Sequence, residues 1–231
     1  SLTFDMVSPM LWGFDFEDKK VLGLGNIDLV SKYHVGIVEE RVRDLKQEFP
    51  DKVVIVSIVG IDKETWQEPT RRLVAAGADA IECSSGCPND VKAIESTVEN
   101  PRTIREVTTW VKEAAGSVPV FVKLSSNDLV DIAQAAKDGG GDALVIGSGR
   151  RAIMGVDLDT FVPYPSVAGK SCFSSYTGSA IKPIILRMIT EVAKGVETPI
   201  IAGAGIMTWQ DVLESMLLGA SIVQIATAVM S

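Results

Sequence analysis

The chain has 231 residues, 46% of them hydrophobic and 23% charged, a balance that excludes a disordered or fibrous protein. Its formal net charge is −8, which disfavours nucleic acid as a partner because neutralising phosphates needs a basic surface. No apolar run approaches the roughly 20 residues of a membrane-spanning helix and no basic, apolar signal sequence opens the chain, so a soluble, cytoplasmic protein without a membrane partner is expected.

The predicted elements alternate between longer amphipathic helices and short apolar strands. A helix over about Ser31–Glu48 comes first, with Ser31 as a candidate cap and Pro50 past its end. His34 within it reads as a plain surface histidine. There follow strand Val53–Val59, helix Lys63–Ala76, strand Ala80–Ser84, helix Thr103–Ala115, strand Val120–Leu124 and helix Leu129–Lys137. Strand Ala143–Ile146, helix Ala180–Lys194, strand Pro199–Ala202, helix Trp209–Leu218 and strand Ile222–Ala226 complete the series. Each strand is nearly all apolar, the pattern of strands buried on both faces. Glycines at 77, 140 and 219 fall between a helix and the next strand, where a left-handed residue ends the helix.

Regular βα repetition means a parallel sheet with right-handed crossovers. Regular spacing fits a TIM (β/α)₈ barrel better than an open sheet, and a single domain over 1–231 is expected. Closing such a barrel takes eight strands. The first apolar strand lies near Val53 and no helix follows the last strand, so the barrel is expected to be incomplete at its first units and final helix. Two stretches exceed minimal turns, Gly86–Asn100 and Arg150–Gly178. Both follow the carboxyl end of a strand, where the functional loops of barrels sit.

The chemistry-bearing residues are few. Cys83, Cys87 and Cys172 are the cysteines and His34 is the one histidine. That count provides no disulfide framework, no ordinary iron–sulfur cluster and no multi-histidine metal site, and it disfavours a Ser–His–Asp triad. Cys87, in Ser84-Ser85-Gly86-Cys87-Pro88-Asn89, follows a strand and would sit at a barrel mouth as a nucleophile or proton-transfer group, or simply pack there. Cys83 is a strand residue and reads as core. Lys123 interrupts the apolar Val120–Leu124 run. Such a lysine is costly without a partner; it serves an anion or a cofactor at the mouth, or it snorkels. Gly203-Ala204-Gly205 and Ala226-Thr227-Ala228 follow the last two strands, where barrels commonly cradle a phosphate on backbone N–H groups.

The ordered set Gly77-Ala78-Asp79-Ala80-Ile81-Glu82, Cys87-Pro88-Asn89, Val122-Lys123-Leu124, Gly178-Ser179-Ala180-Ile181-Lys182-Pro183, Gly203-Ala204-Gly205-Ile206 and Gln224-Ile225-Ala226-Thr227-Ala228 resembles the dihydroorotate dehydrogenase family, most closely its dihydropyrimidine dehydrogenase branch. The resemblance implies a TIM barrel binding FMN at its carboxyl-end mouth. It implies that Lys123 contacts the flavin's pyrimidine edge and favours the anionic reduced ring. Gly147 and Gly178 would lie against the flavin. Gly203, Ala204 and Gly205, with Ala226 and Thr227, would hold its phosphate, alanine in place of glycine being tolerable only if no positive φ is needed. Cys87 matches the family's catalytic cysteine, which moves a proton at one substrate carbon while hydride passes at its neighbour.

Departures fall on the substrate side. Where the family reads a pyrimidine edge with asparagines, this chain has Ser84 and Ser148-Gly149, while Asn89 and Asn26 persist. Serine reaches less far than asparagine and offers less, which argues against dihydroorotate or dihydrouracil as substrate. Arg150 and Arg151 would recognise a carboxylate or phosphate, or form a solvated pair. The leading expectation is an FMN-dependent oxidoreductase acting on a carbon–carbon bond of a small polar, pyrimidine-like molecule. A tRNA dihydrouridine synthase-like flavoenzyme and a non-catalytic barrel scaffold are the alternatives. No GxGxxG marks a nicotinamide site, so electrons would pass to a soluble acceptor, a partner subunit or another domain. A homodimer is an open alternative.

Overall fold

Apolar runs of four or five residues are too short to be stable alone and pair wherever their neighbours run in register. The computed structural model describes residues 11–16, 19–27, 33–84, 100–125, 129–167 and 170–230. In chain order the first elements are β1 (Leu11–Phe16), β2 (Lys19–Asn26), α1 (Val35–Glu48), β3 (Ile55–Ile58), α2 (Lys63–Ala75) and β4 (Ala80–Ser84). Then come α3 (Pro101–Ala115), β5 (Val120–Leu124), α4 (Leu129–Asp138) and β6 (Ala143–Ile146). A ribbon region holds β7 (Arg150–Ala152), β8 (Gly155–Val156), β9 (Pro163–Tyr164), β10 (Ser166–Val167), β11 (Lys170–Ser171) and β12 (Ser174–Thr177). A 3₁₀ turn at Ser179–Ile181, α5 (Lys182–Gly195), β13 (Ile200–Gly203), α6 (Trp209–Leu217), β14 (Ile222–Gln224) and α7 (Thr227–Met230) complete it.

Six strands form one parallel sheet in the order β14-β13-β6-β5-β4-β3. These are the six strands that the apolar runs predict. With helices following them, they make an incomplete TIM barrel whose edge strands among the described residues are β3 and β14. Alternation along each strand divides its side chains between two faces. One face carries Ile58, Ile81, Cys83, Val120, Val122, Leu124, Leu144, Ile146, Ile200 and Ala202, which join the helical residues Trp66, Leu73, Ile104, Val111, Ile132, Ile185 and Met188 in the main core. The other face packs Ala143, Val145 and Ile201, with Phe121 against them, in a second, smaller cluster inside the barrel wall.

Two strands that the apolar runs do not predict precede α1. β1 and β2 are an antiparallel hairpin, and the order β1-β2-β12-β7 makes a separate sheet. They are therefore not the missing barrel strands. Their glycine-rich, weakly apolar sequence, Lys-Lys-Val-Leu-Gly-Leu-Gly-Asn in β2, carries little strand signal. The stretch 150–178, expected as a loop, holds six short strands instead. The first helix begins at Val35 and its N-cap is His34, whose Nδ1 accepts from the Gly36 N–H at 3.3 Å. So His34 is exposed but has a capping role, and Ser31, the expected cap, lies outside the described residues.

The Gly-Ala-Asp punctuation has a structural reason beyond its glycine. Asp79 accepts the Val54 N–H at 2.7 Å and holds Lys46 of α1 at 2.9 Å. Asp142 repeats the arrangement with the Val120 N–H at 2.7 Å and Lys112 of α3 at 2.7 Å. Each carboxylate ties the amino-terminal end of a neighbouring strand to a helix. The Val54 N–H and the Lys46 ammonium hold Asp79 below the usual aspartate range. These ties lie at the stability end of the barrel, opposite the functional loops.

At the other end, Asp211 performs the same service for the loop after β13. It accepts from the Met207 and Thr208 N–H groups at 2.9 and 2.8 Å, and from the Lys182 ammonium at 2.7 Å. Burial pushes its pKa up, but Lys182 and the three Met207 and Thr208 donors outweigh burial and hold it well below the usual range. A depressed folded pKa adds stability that is complete above the ordinary value of 3.8 and lost as pH falls below it. Asp211→Asn should therefore cost about 2 kcal/mol at neutral pH. In denaturant titrations the gap between parent and variant should close between about pH 5 and pH 2; a gap independent of pH would assign the effect to shape rather than charge.

Candidate active site

Because the six strands are parallel, their carboxyl ends lie on one side, and with them Ser84, Lys123, Gly147, Gly203 and Gln224. Register sets Ser84 beside Lys123, Lys123 beside Val145, and Gly203 beside Gln224. Lys123 shares its face with Phe121, Val145 and Ile201, so it stands above the apolar floor inside the barrel wall.

Lys123 is not a snorkelling side chain. Its Nζ lies 3.4 Å from Oε1 of Glu82, one strand away and nearly fully buried at 5% exposure. The other carboxylate oxygen of Glu82 accepts from Nε2 of Gln224 at 2.8 Å. β4 and β14 are separated in the sheet by three strands, so this bond reaches across the concave face. A buried carboxylate is tolerated because both oxygens are engaged. Polar groups thus occupy the layer above the apolar floor.

Beside this layer the backbone is drawn close. Gly147 has φ +139°, and a methyl group there would overlap the Gly203 carbonyl oxygen, so the ends of β6 and β13 approach as only glycine allows. Gly205 has φ +73° and a Cβ there would lie 2.7 Å from the Lys182 Cα. Its neighbour Ala204 also has a left-handed backbone, φ +67°. The condition that alanine is tolerable for glycine only where no positive φ is needed is not met at this position. The chain keeps a glycine-like conformation and accepts the strain, which for an L-residue is about 1–2 kcal/mol. Gly178, buried with φ +111°, leads into the 3₁₀ turn and so to Lys182, against which Gly205 packs. Ala226, which is exposed, follows β14 and has no positive φ, and Thr227 opens α7.

The antiparallel sheet borders this region, with β2 and β12 packed on the 3₁₀ turn. Asn26 ends β2 and is paired in register with Ser175 of β12. Ser148, half-buried after β6, donates to the Gly149 carbonyl at 3.3 Å. Arg150 donates to the Ser125 carbonyl at 2.6 Å and touches Met188, while Arg151 stacks 4.2 Å from the centre of the Phe173 ring. Both arginines are engaged within the protein, one as a tie between the ribbon and the loop after Lys123. Cys83 is buried on the helix-facing side with its thiol pKa raised by burial, as a core cysteine should be.

The structure therefore brings together Ser84, Lys123, Gly147, Gly203, Ala204 and Gly205, with Gly178 behind them. Cys87 and Asn89 lie outside the described residues. Sequence reasoning missed Glu82, Gln224 and Asp211. The first had the same signal that singled out Lys123, a charge inside an apolar strand; the other two become visible only through their partners.

Strain at Ala204 has a measurable sign. Ala204→Gly should leave stability unchanged or raise it by up to about 1 kcal/mol, the released strain offsetting the greater freedom of the unfolded chain. Ala202→Gly, in a buried strand, should lower stability by about 1 kcal/mol. Parallel denaturation of the two variants checks this, and an equal loss in both would show that residue 204 is unstrained.

The model of the dihydroorotate dehydrogenase family matches residues 24–231. The chain is 35% identical over 231 residues to the NAD-dependent dihydropyrimidine dehydrogenase subunit PreA of Escherichia coli, covering 97% of this chain and 56% of that protein. It is 32% identical over 208 residues to dihydroorotate dehydrogenase A (fumarate) of Lactobacillus helveticus, covering 89% and 66%. In fold it is similar to DHODH from Eimeria tenella, solved with ferulenol, at a TM-score of 0.72 and 19% identity over 90% of this chain and 63% of that one. The chain spans 56% to 66% of the length of these two curated relatives. With most of its length matched, parallel strands, strand-end glycines and interior lysine included, the chain belongs to the dihydroorotate dehydrogenase family.

Proposed function

We propose that this chain, acting as one barrel domain over 1–231, is the FMN-binding part of an oxidoreductase that acts on a carbon–carbon bond of a small polar, pyrimidine-like molecule. The observation that carries the reading is a lysine inside the barrel wall beside a backbone cradle that keeps glycine-like geometry even at Ala204. The residues present suit FMN. Gly203, Ala204 and Gly205, with Ala226 and Thr227, would hold its phosphate; Gly147 and Gly178 would lie against it; Lys123 would meet its electron-accepting edge. FMN, when bound, supplies the hydride-transfer chemistry.

What the chain's own groups do follows from their chemistry. Lys123 holds a positive charge over an apolar floor, where the low dielectric strengthens its attraction for developing negative charge. Asp211 and Lys182 hold the loop after β13 in place, so that its N–H groups need little rearrangement. Cys87 donates or accepts a proton at the substrate carbon. A thiol suits that task near neutral pH because its free pKa of about 8.5 falls under a positive neighbour. Ser84 and Ser148, with Asn26 and Asn89, would meet the substrate's polar edge. Electrons would pass to a partner subunit or domain, as the description of the Escherichia coli relative as a subunit suggests.

Two tests follow. Titration of the flavin-free protein with FMN should give saturable binding and a yellow complex; a full-length protein that takes up no FMN overturns the reading. Lys123→Met should weaken FMN binding or slow flavin reduction at least about tenfold. Because that change also strands Glu82, it is compared with the Glu82→Gln/Lys123→Met double variant, and equal losses in both assign the effect to the lost cation. Cys87→Ala should leave FMN bound and slow substrate-dependent flavin reduction by about 10²–10⁴-fold. Unchanged single-turnover reduction would remove Cys87 from the mechanism.

A further inference from the structure

Burying Glu82 inside the barrel wall has a cost that the apolar floor around it does nothing to reduce. A carboxylate at 5% exposure must be compensated by its own partners. Those partners are specific. Gln224 reaches from the edge strand β14 to hold Oε2 at 2.8 Å, which fixes the plane of the carboxylate. The remaining oxygen is thereby turned toward Lys123, whose Nζ lies 3.4 Å away and whose side chain remains part-exposed at the mouth. That separation is longer than the 2.7 Å at which Lys182 meets Asp211 in the same molecule. Ser57 and Phe121 are the register neighbours of Glu82 on β3 and β5, and neither brings a second charge to it.

We propose that Glu82 is the positioning residue of Lys123: clamped by Gln224, it aims the ammonium at the barrel mouth and, as its counter-ion, sets how strongly Lys123 stabilises negative charge there. The inference rests on the FMN reading for the identity of the group that feels this charge. A carboxylate beside the lysine opposes an anionic reduced ring, so it keeps the reduction potential lower than Lys123 alone would make it. Gln224 acts one step further back, through the carboxylate.

The test compares the parent, Glu82→Gln and Gln224→Met. Glutamine preserves the length and planarity of Glu82 and can still accept from Gln224, so the fold is retained; Gln224→Met changes a part-exposed edge-strand residue and keeps the carboxylate. The first measurement needs no cofactor. Acylation of Lys123 by limiting acetic anhydride, followed by mass spectrometry, should proceed about threefold faster or more in Glu82→Gln, because Nζ loses the carboxylate contact that engages it. A smaller increase is expected in Gln224→Met. The second measurement is the flavin potential of the FMN complex. Glu82→Gln should raise the reduced-to-oxidised ratio about tenfold at a fixed potential, equivalent to about +30 mV for two electrons, and Gln224→Met should shift it in the same direction by less. A merely structural role would lower stability without moving either quantity. Unchanged acylation of Lys123 in Glu82→Gln overturns the proposal, as does an unchanged potential in variants that bind FMN. If the parent takes up no FMN, the proposed function falls, while the acylation comparison still decides whether Glu82 governs Lys123.

Discussion

The molecule depends on one constraint, the common direction of six strands in a single sheet. Parallel pairing with helices returning outside buries the four inner strands on both faces, while the edge strands β3 and β14 keep Ile55 and Ile222 exposed, and side chains alternate between a helix-facing core and the barrel interior. It also puts all six carboxyl ends on one side. The outward positions, from Ile58 through Leu124 to Ala202, do the packing. The inward positions are then free to carry Glu82, Lys123 and Gln224 without disturbing the main core.

Local rules of folding are broken in two places, both at that end. A carboxylate and a lysine are enclosed within the barrel wall, and an alanine is held at a left-handed φ. Each carries a free-energy cost that the surroundings must over-determine. Gln224 and Lys123 compensate the carboxylate; the Asp211 network and the packing of Gly205 on Lys182 hold the strained loop. At the opposite end, Asp79 and Asp142 obey the rules, each pairing a strand N–H with a helix lysine. The contrast separates a stability end from an end organised around charge.

The antiparallel ribbon contributes bracing. Arg150 links its first strand to the Ser125 carbonyl, two residues beyond Lys123, and β2 and β12 flank the turn that leads from Gly178 into α5. Arg150 is engaged by a carbonyl and a thioether, and Arg151 stacks on an aromatic ring. No described helix is long and apolar enough to cross a membrane.

The parallel strands and their helices were legible in the amino-acid order, because burial writes itself as an unbroken apolar run and a glycine follows within two residues of the ends of α2, α3, α4 and α6. Ala80–Ser84, Val120–Leu124 and Ala143–Ile146 fall where the runs place them. Lys123 was legible for the opposite reason, as a charge where none should be. The hairpin β1–β2 was not, since its glycines and paired lysines carry no alternation and its pairing partners lie about 150 residues away in β12. Which oxygen of Glu82 meets Lys123, that Gln224 crosses the sheet to hold the other, and that Ala204 takes a glycine's backbone are decided only by tertiary structure. Distances between strands that are remote in sequence, and the close approach of two backbones, are properties of the assembled sheet and of no segment within it.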